Sequence, residues 1–152
     1  FGAGRGRASF LYVSVGTGIS SSLVLDGAPW PGADGRAIVL GAPLVEDVAS
    51  GPAIARATGR ASAEEAFADP SCDDGIAAAA EALGLELARA AHLLDPGLVV
   101  LGGGLGLVDR YRGLVADALR AHIDTRYAAV PAVVPAELGS DAGIIGAALA
   151  AL

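Results

Sequence analysis

Asp95–Gly106 reads "DPGLVVLGGGLG", and these residues decide the architecture. Asp95-Pro96-Gly97 is a helix stop, since proline cannot continue a helix and glycine supplies the turn. Leu98-Val99-Val100-Leu101 is a continuous apolar run of strand length, the pattern of a strand buried on both faces. Gly102-Gly103-Gly104 then opens a turn towards the next helix. A buried strand between two helices predicts a parallel sheet.

Working outward, Asp73 to Leu94 forms one long helix with an apolar stripe at Ile76, Ala80, Leu83, Leu87, Ala91 and Leu94, spaced by threes and fours. Downstream come a helix over roughly Val108–Arg126, a strand at Ala132–Val134, a loop over Glu137–Gly143 and a small-residue helix over Ile144–Leu152. Upstream, Val45–Thr58 is a helix that Ser50-Gly51-Pro52 must interrupt or restart. Ser62 with Glu65 has the capping-box form and starts a short helix to Ala68. A short strand is expected at Ala37–Leu40, inside a loop rich in proline and glycine.

The N-terminal part behaves differently. Phe10–Val15 and Ser21–Leu25 alternate as two antiparallel strands of the same sheet, with a connection over residues 16–20 longer than a two-residue turn. The chain is thus α/β, a mixed sheet with an N-terminal antiparallel hairpin and packed helices.

Composition narrows the function. The 152 residues carry a formal net charge of −7 and no lysine, and every basic side chain is arginine. A chain so acidic, with no basic run beyond Arg5 and Arg7, excludes nucleic acid as a partner of this segment. One cysteine, Cys72, forms no internal disulfide, and with His92 and His122 it does not make a Cys/His zinc site. No membrane span or signal peptide is read, so the cytoplasm is the default location. The chain has no methionine and begins at Phe1, which reads as part of a longer product.

Three glycine turns are candidate sites. Gly16-Thr17-Gly18 can present backbone N–H groups and a hydroxyl to a phosphate, or serve only as a hairpin loop. Gly102-Gly103-Gly104 lies at the carboxyl end of a buried strand, where α/β proteins collect ligands, or is a tight strand-to-helix turn. Gly139-Ser140-Asp141-Ala142-Gly143 reads as the N-cap of the last helix. Asp73-Asp74 is a helix start, His92 a structural histidine, and no nucleophile–base pair is present.

The succession of the strand–Gly-Thr-Gly–strand hairpin, "VEDVASGPAIA" (Val45–Ala55), "LDPGLVVLGGGLG" (Leu94–Gly106) and "LGSDAGIIGAALAAL" (Leu138–Leu152) resembles the C-terminal lobe of the ROK family. That family comprises bacterial sugar kinases and sugar-responsive repressors of the actin/hexokinase-like superfamily, with a ribonuclease H-like fold.

The resemblance implies a single C-terminal lobe over residues 1–152, with the N-terminal lobe absent from the chain. It implies that Gly16, Thr17 and Gly18 bind the ATP phosphates, that Gly102, Gly103 and Gly104 lie on the adenosine side, and that Mg²⁺ accompanies ATP. By that resemblance the catalytic base belongs to the absent lobe, so this chain is expected to supply no catalytic residue and to be inactive by itself.

Where the family often reads Ala-Gly-Glu-Ile-Gly-His, this chain has Ala37-Ile38-Val39-Leu40-Gly41-Ala42. Val39 and Ala42 replace the sugar-holding Glu and His, and the family's cysteine-rich zinc loop is missing, so no zinc is expected. Glu46 matches a family glutamate near the sugar, and is equally explained as a helix-start carboxylate. A sugar and a homodimer partner are expected. The expected function is the ATP-binding lobe of an ATP-dependent, glucokinase-like sugar kinase. The alternatives are the sugar-sensing domain of a transcriptional repressor or a degenerate non-catalytic domain.

Overall fold

A computed structural model of the chain describes residues 2–37, 40, 44–142 and 145. Among the described residues five strands form one sheet: β1 (Ser9–Val15), β2 (Ile19–Leu25), β3 (Ala28–Pro29), β4 (Leu98–Gly102) and β5 (Ala132–Pro135), in the order β3-β2-β1-β4-β5. β1 pairs antiparallel with β2 and parallel with β4, and β4 pairs parallel with β5. The sheet therefore changes character at β1, as the two halves of the sequence predict. The two-residue β3, which pairs with Val24 and Leu25, is too short for any periodicity to reveal.

Alternation along β1 sorts the two faces. Leu11, Val13 and Val15 are buried and join Val99 and Leu101 in the main core. Phe10 and Tyr12 point the other way, against a smaller cluster of Leu98, Val100 and Ala136. β4 is buried at all its residues, which is why it lacks alternation.

Helices cover the main face: α1 (Leu44–Ala49), α2 (Gly51–Thr58), α3 (Ala63–Ala68), α4 (Asp73–Leu94), α5 (Gly103–Gly106) and α6 (Asp109–His122). α4 has the predicted limits. Its stripe of Ile76, Ala80, Leu83, Leu87 and Ala91 is buried, and Asp95, at φ 45°, ends it by donating its amide to the Ala91 carbonyl. A Cβ on Gly84 would fall 2.4 Å from the Ala118 Cβ and 2.8 Å from the Leu119 amide nitrogen. That glycine lets α4 and α6 approach closely.

The α1/α2 break falls at Ser50, whose hydroxyl accepts from the Ala53 amide, with Pro52 in the first turn of α2. This is the restart expected of Ser50-Gly51-Pro52.

Several boundaries are corrected. β2 begins at Ile19, so the hairpin loop is Gly16–Gly18 and not residues 16–20. α6 ends at His122, because Asp124 turns back on Arg126 and takes its backbone and side-chain N–H groups. At Ser62 the hydroxyl accepts from the Glu65 amide, but the Glu65 carboxylate takes the Ala61 amide in place of that of Ser62. Ala37 lies in a turn and Leu40 in a bend, while residues 38 and 39 of the expected strand lie outside the described residues. Gly139–Asp141 is a short 3₁₀ turn, and the expected helix at Ile144–Leu152 lies almost wholly outside the described residues. Among the described residues, no helix is long and apolar enough to cross a membrane.

Candidate functional site

The pairing of Val15 with Ile19 closes the hairpin and leaves Gly16-Thr17-Gly18 as its loop. Inside it the Gly16 amide donates to the Gly18 carbonyl at 2.9 Å. Two bonds come from the helices. The Gly51 amide donates to the Gly16 carbonyl at 2.8 Å, and the Ile19 amide donates to Glu46 Oε2 at 2.8 Å. Among the described residues no protein acceptor takes the Thr17 or Gly18 amide. Thr17 itself is exposed.

The second glycine turn reaches the same place, although its three residues do different work. A Cβ on Gly102 would fall 2.5 Å from the Tyr12 hydroxyl, and one on Gly103 2.5 Å from the Val15 carbonyl oxygen. Gly103 also sits at φ +75°, where an L side chain is strained. Gly102 and Gly103 thus serve close packing of β4 and α5 on β1. Gly104 is the open one. A Cβ there would meet no atom within 4 Å, and its amide nitrogen lies 4.0 Å from where a Gly16 Cβ would stand.

Between the turns lies a cavity of about 540 Å³, whose lining includes Gly16, Thr17, Gly51, Pro52, Ser62, Glu64, Phe67 and Gly104. Its size suits a nucleotide-sized ligand. Glu64 is the one charged side chain among the described lining residues. A negatively charged ligand there would have to be held by backbone N–H groups, hydroxyls and an accompanying cation.

The cavity wall is braced from below. Tyr111 of α6 is fully buried and donates its hydroxyl to the Ala49 carbonyl at 3.1 Å, next to the α1/α2 break. Burial pushes its phenol well above the usual tyrosine range. Phe67 meets the Tyr111 ring edge-on, with centroids 6.0 Å apart.

A smaller cavity of about 280 Å³ opens on the opposite face of the sheet, lined by residues such as Phe10, Tyr12, Val24 and Val100. It contains neither glycine turn. Among the described residues no group of three or more His, Cys, Asp or Glu side chains gathers as a metal site would require.

The model of the ROK family matches residues 44–152. The chain belongs to the ROK family. It is 36% identical over 166 residues to a bifunctional enzyme NanE/NanK of Brucella melitensis, covering 97% of this chain and 31% of that protein. It is 30% identical to a kanosamine kinase of Amycolatopsis mediterranei, covering 97% of this chain and 57% of that one.

Among solved structures, the ROK hexokinase of Thermus thermophilus superposes with a TM-score of 0.83 at 31% identity, over 98% of this chain and 58% of the hexokinase. The chain therefore spans between about a third and three fifths of the length of these relatives. Its mixed sheet with N-terminal antiparallel strands and packed helices is the C-terminal lobe of this actin-like architecture.

The structure brings Gly16, Thr17 and Gly104 to one cavity. It turns Gly18 towards Glu46, where a Cβ would fall 2.8 Å from Oε2, and gives Gly102 and Gly103 to packing. Glu46 is neither a bare helix-start carboxylate nor detached from the turn, since it holds the first residue of β2. Val39 and Ala42 lie outside the described residues. Sequence reasoning missed Gly51, Pro52, Ser62, Glu64 and Phe67 as cavity residues. Ser50-Gly51-Pro52 and Ser62 were legible only as helix punctuation, and no spacing connects them to a hairpin more than thirty residues upstream.

Proposed function

We propose that this chain is the ATP-binding lobe of a ROK-type sugar kinase, transferring a phosphoryl group from Mg·ATP to a sugar hydroxyl in a longer polypeptide that supplies the catalytic base. The observation that carries the reading is the meeting of the Gly16–Thr17 turn and Gly104 in one cavity, with the Thr17 and Gly18 amides taken by no acceptor among the described residues. A merely structural hairpin loop has no need to face a second glycine turn across a ligand-sized space.

Each residue has a defined task. The Thr17 and Gly18 N–H groups, with the Thr17 hydroxyl, donate to phosphate oxygens. Gly104 leaves the backbone bare so that the nucleoside can lie along the start of α5. Phe67, Pro52 and Leu105 supply apolar surface, and Ser62 and Glu64 supply acceptors for its hydroxyl or amino groups. Mg·ATP supplies the transferable group and the cation that the described lining residues lack. Phosphoryl transfer depends mainly on positioning and charge stabilisation, and this lobe contributes the first of these. Relatives named as a hexokinase and a kanosamine kinase support a sugar as acceptor.

Coupled ADP release tests the reading. A polypeptide extended at the N-terminus with the complementary lobe is assayed with Mg·ATP and a panel of hexoses, amino sugars and polyols, with this chain alone as control. Sugar-dependent release from the extended polypeptide only is expected. Absence of release with every sugar would leave a sugar-responsive regulator or a non-catalytic domain.

A further inference from the structure

The Gly16–Gly18 turn is held at both ends from the α1–α2 side. Gly51 secures the Gly16 carbonyl, and Glu46 secures the Ile19 amide. Thr17 lies between the two anchor points.

The hairpin register explains why Ile19 needs a partner. Residues opposite one another in an antiparallel pair alternate between exchanging hydrogen bonds and exchanging none. Val15 and Ile19 are opposite, and the neighbouring bond runs from the Gly16 amide to the Gly18 carbonyl. The Ile19 amide therefore points off the free edge of β2. Among the described residues β3 covers that edge at Val24 and Leu25, and at Ile19 the Glu46 carboxylate takes the amide instead. The fit is close, because a Cβ on Gly18 would collide with Oε2. Glu46 is in turn fixed by its helix, whose far end is pinned by the buried Tyr111 hydroxyl on Ala49.

We propose that Glu46 is a positioning residue for the phosphate turn. By accepting the Ile19 N–H and filling the space beside Gly18, its carboxylate fixes the direction of the Thr17 and Gly18 amides, whether or not a sugar is bound. This rests on the reading of that turn as the phosphate site. It differs from a role as sugar ligand, which would act only when sugar is present.

The test compares the extended polypeptide with its Glu46→Ala and Glu46→Gln variants in the absence of sugar, by calorimetric titration with Mg·ADP and by amide hydrogen exchange across residues 15–20. Glu46→Ala is expected to weaken Mg·ADP binding by about tenfold, the scale of one lost charge-assisted hydrogen bond, and to speed exchange at Ile19. Glu46→Gln keeps an acceptor oxygen and should restore most of both. Unchanged sugar-free affinity in a folded Glu46→Ala variant would overturn the proposal, as would Glu46→Gln behaving like Glu46→Ala. If the unsubstituted protein binds no nucleotide, the phosphate reading falls by itself. The exchange rate at Ile19 then decides whether Glu46 holds the turn: faster exchange in Glu46→Ala supports the anchoring, and unchanged exchange overturns it.

Discussion

Gly103 and Gly104 are neighbours with opposite reasons for being glycine, and substituting each in turn separates packing from ligand binding. Alanine at Gly103 must adopt φ +75°, which costs about 1–2 kcal/mol. Its Cβ would also stand 2.5 Å from the Val15 carbonyl oxygen and 2.8 Å from the Val15 nitrogen. Those are backbone atoms of the central strand and cannot swing aside, so relieving the overlap adds about 1–3 kcal/mol. The sum is about 2–5 kcal/mol, or a fall of about 6–15 °C in Tm for a chain of this length.

Alanine at Gly104 meets no atom within 4 Å and lies inside α5, where it should be neutral or stabilising by up to about 1 kcal/mol. Its methyl group nevertheless projects into space that the proposed nucleotide needs. Nucleotide affinity should fall by about tenfold, the cost of one misplaced methyl group. Differential scanning calorimetry and nucleotide titration of both variants give the four numbers required. Equal destabilisation by the two substitutions would refute the packing argument, and full affinity in a stable Gly104→Ala variant would refute the placement of the nucleotide.

Tyr111→Phe removes the hydrogen bond to the Ala49 carbonyl and should cost about 1–2 kcal/mol in urea unfolding. The same phenol is raised by burial, so its contribution is fully present below the unfolded tyrosine value of about 10 and is lost as pH rises beyond it. Stability of the unsubstituted chain should therefore fall above about pH 10, and Tyr111→Phe should flatten that decline. Gly84→Ala places a methyl group against Ala118 and the Leu119 amide and should destabilise by about 1–3 kcal/mol, read as a lower urea midpoint without a change in nucleotide affinity. Ser62→Ala removes the cap on the Glu65 amide and should cost about 1 kcal/mol.

The long elements were legible because their physics is local. α4 carries its own stop in Asp95-Pro96-Gly97, and β4 announces burial on both faces by four apolar residues in a row. β3 was missed because two residues carry no period. The site was half legible, since glycine marks where backbone is bare without saying what approaches it. Gly102, Gly103 and Gly104 look identical in sequence, and they differ only because Tyr12 and Val15 lie against the first two. Glu46 likewise showed its helix but not its partner, because an unpaired strand-edge amide becomes visible only once the register is known.

The parallel pairing of β1 with β4 also shapes how the molecule must assemble. Leu11 finds Val99, and Gly97 reaches the hydroxyl of Ser9 across 88 residues of chain. The β1–β2 hairpin can form from local contacts, but its other edge stays open until β4, which follows α1 to α4 in the chain, pairs with it. Contacts so distant in sequence slow folding, and an unpaired apolar strand edge invites association in the interval. Expression at low temperature, or with chaperones that shield such edges, should therefore raise the soluble yield more than any improvement to the helices.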